Sequence, residues 1–309
     1  MSIYKIGYII KQRREELHYT QEELAEGICS VTTLSRIENG ERLPSKDNFE
    51  MLFQRLGISD TILFESVDED TLYLHELKFK IRQAVINYRY AEARELIKDY
   101  AAKADMDSPV ERQFVLINST LANKQDYSPE ERLSRFEEAI LLTCPKYTDG
   151  YIPRLLTYEE IIILNNIAGC YHDKKEYKKA IKILSALKLH YDNNAVNREE
   201  NLRTQTMVLY NLSKCLGLDG QYSECIEICD LGIRIARDTG RCRLLDEMLY
   251  NRAWSLIRRK HPGDMEQAEE AAKQAYCAAV AMADDEASEY FKNFIIKTFP
   301  ESKLLLFFI

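Results

Sequence analysis

From Ile3 to Leu56 the apolar residues recur every three or four positions, and the pattern breaks at Thr20, at Gly27 to Ser30 and at Gly40 to Ser45. That period is helical, and the breaks fall on capping residues. Ile6, Ile9, Ile10 and Leu17 form one face of a first helix over residues 3–18. Thr20 followed by Glu23 is a capping box, so a second helix begins at Gln21, with Leu24, Ala25 and Ile28 on its apolar face. Ser30 caps a third helix from Val31 to about Asn39, and Gly40 supplies the left-handed stop. Ser45 caps a fourth, buried through Phe49, Leu52, Phe53 and Leu56 and ended at Gly57. A fifth short helix over Asp60 to about Glu65 completes the expected head, residues 1–64, and an acidic linker follows over 65–71.

From about Thr71 the same period continues as a succession of helix pairs, residues 72–286. Leu164-Asn165-Asn166-Ile167-Ala168-Gly169-Cys170-Tyr171 is followed by Tyr177, Ala180, Leu184 and Leu187. The small Ala168 and Ala180 stand where two helices of a hairpin must approach closely. The register recurs at Leu209, Leu212, Ser213, Leu216, Tyr222, Cys225 and Cys229, and again at Ala253, Leu256 and Ala268, with a longer loop around His261-Pro262-Gly263-Asp264. Weaker copies occupy 72–104, around Tyr90, Ala93 and Ile97, and 109–143, around Ala139. The period is about 40–45 residues. The segment 287–309 is expected to cap the stack with a helix. Its last six residues, Leu304 to Ile309, are all apolar and either cap the final repeat or bury themselves in a second subunit.

Two short helices at a tight turn, the second with a small polar outer face, read as a helix-turn-helix. Gln21, the Leu24-Ala25 pair, the run Ser35-Arg36-Ile37-Glu38 and Gly40 closely resemble the DNA-binding domain of the xenobiotic-response-element repressor family. The turn Gly27-Ile28-Cys29-Ser30 is one residue shorter than that family's common pattern. A shortened turn resembles the peptide-responsive Rgg, PlcR, NprR and PrgX group of Gram-positive bacteria. The repeat register resembles the tetratricopeptide repeat, and its degeneracy is also what that group looks like. The expected fold is therefore all-α: a five-helix helix-turn-helix domain followed by a right-handed superhelix of tetratricopeptide-like helix pairs.

Composition agrees with helices. The 309 residues are 46% hydrophobic, with only 11 Gly and 7 Pro. No apolar run approaches the roughly 18 residues that cross a bilayer, and the N-terminus carries no basic-then-apolar signal, so a cytoplasmic protein is expected. The net charge of −8 is unusual for a DNA binder. Residues 1–58 hold eight Lys and Arg against nine Asp and Glu, yet the positives are grouped. Lys5, Lys11, Arg13 and Arg14 lie along the first helix, and Arg36, Arg42 and Lys46 surround the third. Glu22 and Glu23 sit in a helix first turn, where they favour the dipole. DNA binding would then rest on local phosphate contacts and dimer avidity.

On the DNA side, Gln21 can bond a phosphate at the start of helix two. Val31, Thr32 and Thr33 are short enough to let helix three lie deep in a major groove, and Arg36 suits a guanine or a phosphate. Glu38 is expected to bond back across the domain. On the repeat side, aligning the three better copies puts Asn166, Asn211 and Asn251 at one position. The resemblance to tetratricopeptide proteins implies that it faces the concave groove. An asparagine amide offers one acceptor and two donors, so three of them can hold a peptide by its main chain. The alternative is an ordinary solvated or locally bonded Asn. Asn165, Tyr210, Lys214, Tyr250, Trp254 and Arg258 are expected on the same wall. Trp254 serves equally as an anchor or as a packing residue between repeats. Lys214 and Arg258 can hold a peptide carboxylate, or simply belong to a solvated face.

The eight cysteines form no CxxC pair and read as small, reduced, apolar residues. Cys225 and Cys229 share a helix face, without a second ligand pair to make a metal site. The five histidines are scattered, and there is no glycine-rich phosphate loop, HExxH or nucleophile elbow. No catalytic residues, cofactor or metal are expected. The reading is a homodimeric regulator that binds double-stranded DNA, without a membrane segment, and senses a short peptide. Two readings compete with it: a head whose repeats dock a folded protein, and a constitutive repressor.

Overall fold

A computed structural model describes residues 3–58, 69–147, 151–193, 199–240 and 242–301. The expected fifth helix over Asp60 to Glu65, the first part of the linker and the apolar run Leu304 to Ile309 lie outside these residues. The described residues form fifteen helices. By contact density the chain divides into two compact units, one made of Met1–Lys174 with Leu189–Arg198 and the other of Lys175–Lys188 with Glu199–Ile309.

The first unit begins with α1 (Ile3–Glu16), α2 (Gln21–Ala25), α3 (Val31–Glu38) and α4 (Lys46–Arg55). Their ends are set by the residues that the sequence singles out. Thr20 and Glu23 close both halves of the capping box, the Thr20 hydroxyl accepting from the Glu23 amide at 3.1 Å and the Glu23 carboxylate from the Thr20 amide at 2.8 Å. Ser30 and Ser45 accept from Thr33 and Asn48. Gly40 takes up a φ of 73° just beyond α3, the left-handed stop. α1 is shorter than expected, because His18 turns the chain at a φ of 57°.

Ile10, Leu24, Ala25, Leu34, Ile37, Leu52, Phe53 and Leu56 make the core of the head, with Ile6, Ile9, Leu17, Ile28 and Phe49 packed against it. Phe49 and Phe53 stack at 3.9 Å. Leu155, from the segment 144–157, belongs to the same core at 1% exposure. A residue about a hundred positions away thus completes the head.

The unit continues with α5 (Glu69–Ile86), α6 (Tyr90–Lys103), α7 (Pro109–Ala122), α8 (Pro129–Thr143) and α9 (Tyr158–Asp173). α5 starts at Glu69, so part of the expected linker is helical. Ser128 with Glu131 and Thr157 with Glu160 form two further capping boxes. α5 packs on α6, α6 on α7, α7 on α8 and α8 on α9.

The second unit holds α11 (Glu199–Leu218), α12 (Tyr222–Thr239), α13 (Leu245–Arg259), α14 (Asp264–Ala281) and α15 (Asp285–Thr298), with most of α10 (Tyr177–Asn193). Successive helices from α11 to α15 pack on one another, and α11 also lies against α13. Small residues sit where the register requires them. The Cys225 thiol is 3.1 Å from the Ser213 carbonyl and 3.0 Å from the Ser255 hydroxyl, while Ala253 and Ala268 share a core with Leu256, Ala271, Ala272 and Ile295. The longer loop before α14 is fixed by Asp264, which accepts from the Arg259 guanidinium at 2.7 Å and from the His261 amide at 2.8 Å.

Candidate functional site

The outer face of α3 is open. Val31, Thr32, Arg36 and, beyond the helix, Arg42 are exposed, whereas Leu34, Ile37 and Glu38 turn inward. Thr33 is half-buried, with its hydroxyl 2.9 Å from that of Ser30. Arg36 lies 3.8 Å from Glu41 in a loose surface pair. A helix that buries one side in a small domain and presents short polar residues and an arginine on the other has the shape and donors for a major groove.

Glu38 does what its expected structural role demands. Its carboxylate accepts from Arg14 at 2.7 and 3.0 Å and from the Gln21 side chain at 2.7 Å, while Arg14 also donates to the Tyr19 carbonyl. The triad ties α1 to α2 and α3. The Gln21 side chain, expected to reach a phosphate, therefore donates to Glu38 in this structure. Lys46 is exposed but its ammonium lies 3.6 Å from Glu111 of α7, so it faces the repeats as well as the solvent.

Those repeats meet the head through a seam of charges that no sequence pattern announces. Arg55 of α4 is fully buried and donates to both Glu160 oxygens at 3.3 and 3.5 Å, and also to the Glu26 carbonyl. Glu160 accepts in addition from the Thr143 hydroxyl at 2.8 Å and, as part of its capping box, from the Thr157 amide at 2.7 Å. Beside it Arg82 pairs with Glu159, and Lys78 lies 3.2 Å from Glu50 and 3.1 Å from Glu111. Burial alone would depress the Lys78 ammonium, but Glu50 and Glu111 outweigh it and hold the group above its ordinary value. Burial likewise pushes Glu159 up, and Arg82 and Lys78 together bring it below the usual carboxylate value. At the rim, Arg154 pairs with Glu23 at 2.9 Å, Lys146 with Glu26 at 3.2 Å, and the Ser108 hydroxyl donates to Asp47 at 2.8 Å. Gly27, at a φ of 71°, has the Thr143 carbonyl only 2.4 Å from where a Cβ would stand.

In the second unit α13 carries most of the expected wall. Asn251 is half-buried and donates to the Ser213 hydroxyl of α11 at 3.1 Å, one of its two N–H groups. Tyr250, the residue before it on α13, has its hydroxyl 2.7 Å from that of Tyr290 and its ring against Phe291 and Phe294 of α15. Trp254 packs edge-on to Tyr222 at 6.0 Å and lies close to Gly217. The Arg258 guanidinium stacks on its ring at 3.3 Å from the centroid. Trp254 thus packs between repeats and supports a cation on its face. Asn211, Tyr210 and Lys214 are half-buried on α11. In the first unit, Asn166 donates to the Ile162 carbonyl of its own helix at 2.8 Å, and Asn165 is buried at 5% exposure instead of lining a surface.

A helix-turn-helix head joined to a succession of helix pairs defines a two-part class of regulator, one part for reading and one for binding. Residues 10–63 match the helix-turn-helix family, and residues 113–297, well over half the chain, match the RNPP family C-terminal domain. The chain belongs to the RNPP family. Proteins of that family are transcription regulators, not enzymes. Among solved structures, PlcR of Bacillus thuringiensis, determined with the peptide PapR7 and DNA, is 22% identical over 93% of this chain and 99% of that one, with a TM-score of 0.59. The competence regulator ComR of Streptococcus vestibularis in its apo form is 17% identical over 97% and 99%, with a TM-score of 0.52. The same regulator in complex with its signalling peptide XIP is 17% identical over 96% and 98%, at 0.51. These likenesses are of fold. No curated protein sequence matches the chain. Among the described residues no helix is long and apolar enough to cross a membrane.

Proposed function

We propose that this protein is a sequence-specific, DNA-binding transcription regulator controlled by a short peptide. The observation that carries the reading is the exposed face of α3, with Val31, Thr32 and Arg36 outward on a helix whose opposite side is locked by Leu34, Ile37 and the Arg14–Glu38 pair. In a chain of the RNPP family, and with a fold shared by structures solved with DNA and with signalling peptides, that face is the DNA reader. Residues 1–64 form the head, Arg42 and Lys46 add phosphate contacts, and Gln21 contributes through its backbone amide. Residues 72–286 bind the peptide along Asn166, Asn211 and Asn251 and their neighbours, and 287–309 cap the stack. The protein works in the cytoplasm as a homodimer. Two-fold symmetry then sets two recognition helices in successive major grooves, and the operator is pseudo-palindromic.

Selection of genomic DNA fragments on the purified full-length chain tests the reading. Recovery of a common inverted repeat by the native chain, and its absence with Arg36→Ala, is the expected result. Fragments with no shared sequence would sink it.

A further inference from the structure

Cys225 and Cys229 stand four residues apart on α12, and both are fully buried. The Cys229 thiol donates a hydrogen bond to the Cys225 sulfur, which lowers the Cys225 thiol below its ordinary value and raises Cys229 well above it. Two buried hydroxyls close round the pair. Ser255 of α13 donates to the Cys225 sulfur at 3.0 Å, the Ser213 side chain of α11 hydrogen-bonds Cys229, and the Ser213 carbonyl lies 3.1 Å from the Cys225 thiol. The Ser213 hydroxyl also accepts from Asn251 at 3.1 Å. Three helices thus bring two thiols and two hydroxyls to one point. In the next copy of the register, Ala268 and Ala272 of α14 stand at the matching positions, in a core shared with Ala253 and Leu256. Packing asks only for small apolar groups there, and alanine supplies them.

Helix geometry keeps the pair a dithiol. Side chains four apart on a helix have Cβ atoms about 5–6 Å apart, whereas a disulfide needs about 3.5–4.5 Å. Closing an S–S bond would therefore unwind a turn of α12. Two metal–sulfur bonds of about 2.3 Å each reach across as much as about 4.6 Å between sulfurs, a span that rotation about the two Cα–Cβ bonds can meet. The pair lacks the four ligands of a zinc site: among the described residues, no group of three or more His, Cys, Asp and Glu is arranged to hold a metal ion. Two buried thiolates suit instead a soft, monovalent cation that is content with two ligands.

We propose that Cys225 and Cys229 bind one copper(I) ion as a bridge between their sulfurs. Both thiol protons leave, two copper–sulfur bonds form, and no oxidation state changes. The bridged pair carries one net negative charge, toward which the Ser255 hydroxyl already donates. The ion enters through local opening of the α12–α13 hairpin. The inference stands whether or not the repeats bind a peptide.

The test titrates the full-length chain with copper(I) against the chelator bathocuproine disulfonate, under reducing conditions and without oxygen. Cys29, Cys242 and Cys277, which are half-buried or exposed, are replaced by Ser beforehand. One copper ion per chain is expected to pass from the chelator to the protein, and X-ray absorption at the copper edge to show two sulfur neighbours. Cys225→Ala and Cys229→Ala put at each position the residue that α14 carries there, so the hairpin keeps its packing. Each should weaken copper binding by about a hundredfold or more, beyond the loss typical of a group that only supports a ligand. The absorption measurement needs neither alanine variant. Copper left wholly with the chelator overturns the inference. So does copper held without two sulfur neighbours, or retained equally by both alanine variants.

Discussion

Removing one member of the Arg55–Glu160 pair should loosen the head from the repeats far more than removing both. Arg55→Met leaves the Glu160 carboxylate, with a fully buried side chain, facing only the Thr143 hydroxyl and the Thr157 amide. Glu160→Gln leaves a buried guanidinium whose remaining acceptor among the described residues is the Glu26 carbonyl. Stripping one partner from a buried pair costs about 3–5 kcal/mol, because the survivor keeps its desolvation penalty without its counter-charge. The double variant buries no net charge, and Gln can still serve the capping box at the start of α9. Replacing both members of a buried pair by neutral residues is close to neutral, so its cost should fall below that of either single variant. A chain of this size need not unfold in one step, so a global melting curve is the wrong readout. Amide hydrogen exchange followed by mass spectrometry on segments from α2, α4 and α9 reports the local opening. Each single variant should speed exchange there by about a hundredfold to a few thousandfold, and the double variant should recover a large part of that loss. Additive effects, or exchange in α4 unchanged by Arg55→Met, would refute the assignment of the seam as the element that holds the head.

Three further outcomes follow from the same structure. Glu38→Gln should cost about 3–5 kcal/mol in the head, since it leaves the buried Arg14 without its carboxylate; amide protection in α1 and α3 equal to that of the native chain would contradict this. Gly27→Ala should destabilise the first unit by about 1–3 kcal/mol, through a left-handed φ and a Cβ driven against the Thr143 carbonyl, and unchanged amide protection in α2 and α8 would be the opposing result. Glu111 and Glu159 titrate below the usual carboxylate value, so their contribution is present above that value and is lost as the pH falls through the folded values, while Lys78, raised above its ordinary value, keeps its contribution until the solution is more alkaline still. Amide exchange in α5, α7 and α9, corrected for its intrinsic pH dependence, should accordingly quicken as the pH drops below about 4.5, and protection there that stays level on acidification would count against the seam.

What the sequence made legible is what short-range chemistry determines. Thr20 with Glu23, Ser30, Gly40 and Ser45 are read from their own neighbours, because a cap and its acceptor lie three residues apart. Leu34 and Ile37 betray their inward face by spacing alone. The repeat pairs after Glu69 follow from small residues at a fixed register, even where Cys225 replaces an alanine. Leu155 in the head core, Gly27 against Thr143 and Arg55 against Glu160 were not legible, because each needs a partner that only the folded chain brings near. Arg55 and Glu160 are 105 residues apart, and both have the composition of ordinary surface residues. The asparagines show the same limit. Their positions could be aligned, but that Asn166 turns to its own helix and Asn251 to Ser213 depends on packing.

The most direct test of the regulator reading is fluorescence anisotropy of the full-length chain on a duplex recovered by genomic selection and on a scrambled duplex of equal composition, across a salt series, with and without a peptide selected on the full-length chain from a random library. The account predicts salt-sensitive preference for the selected duplex, a loss of about 1–3 kcal/mol with Arg36→Ala, and a shift in affinity when peptide is added. Equal affinity for both duplexes at every salt concentration, with and without peptide, would contradict it.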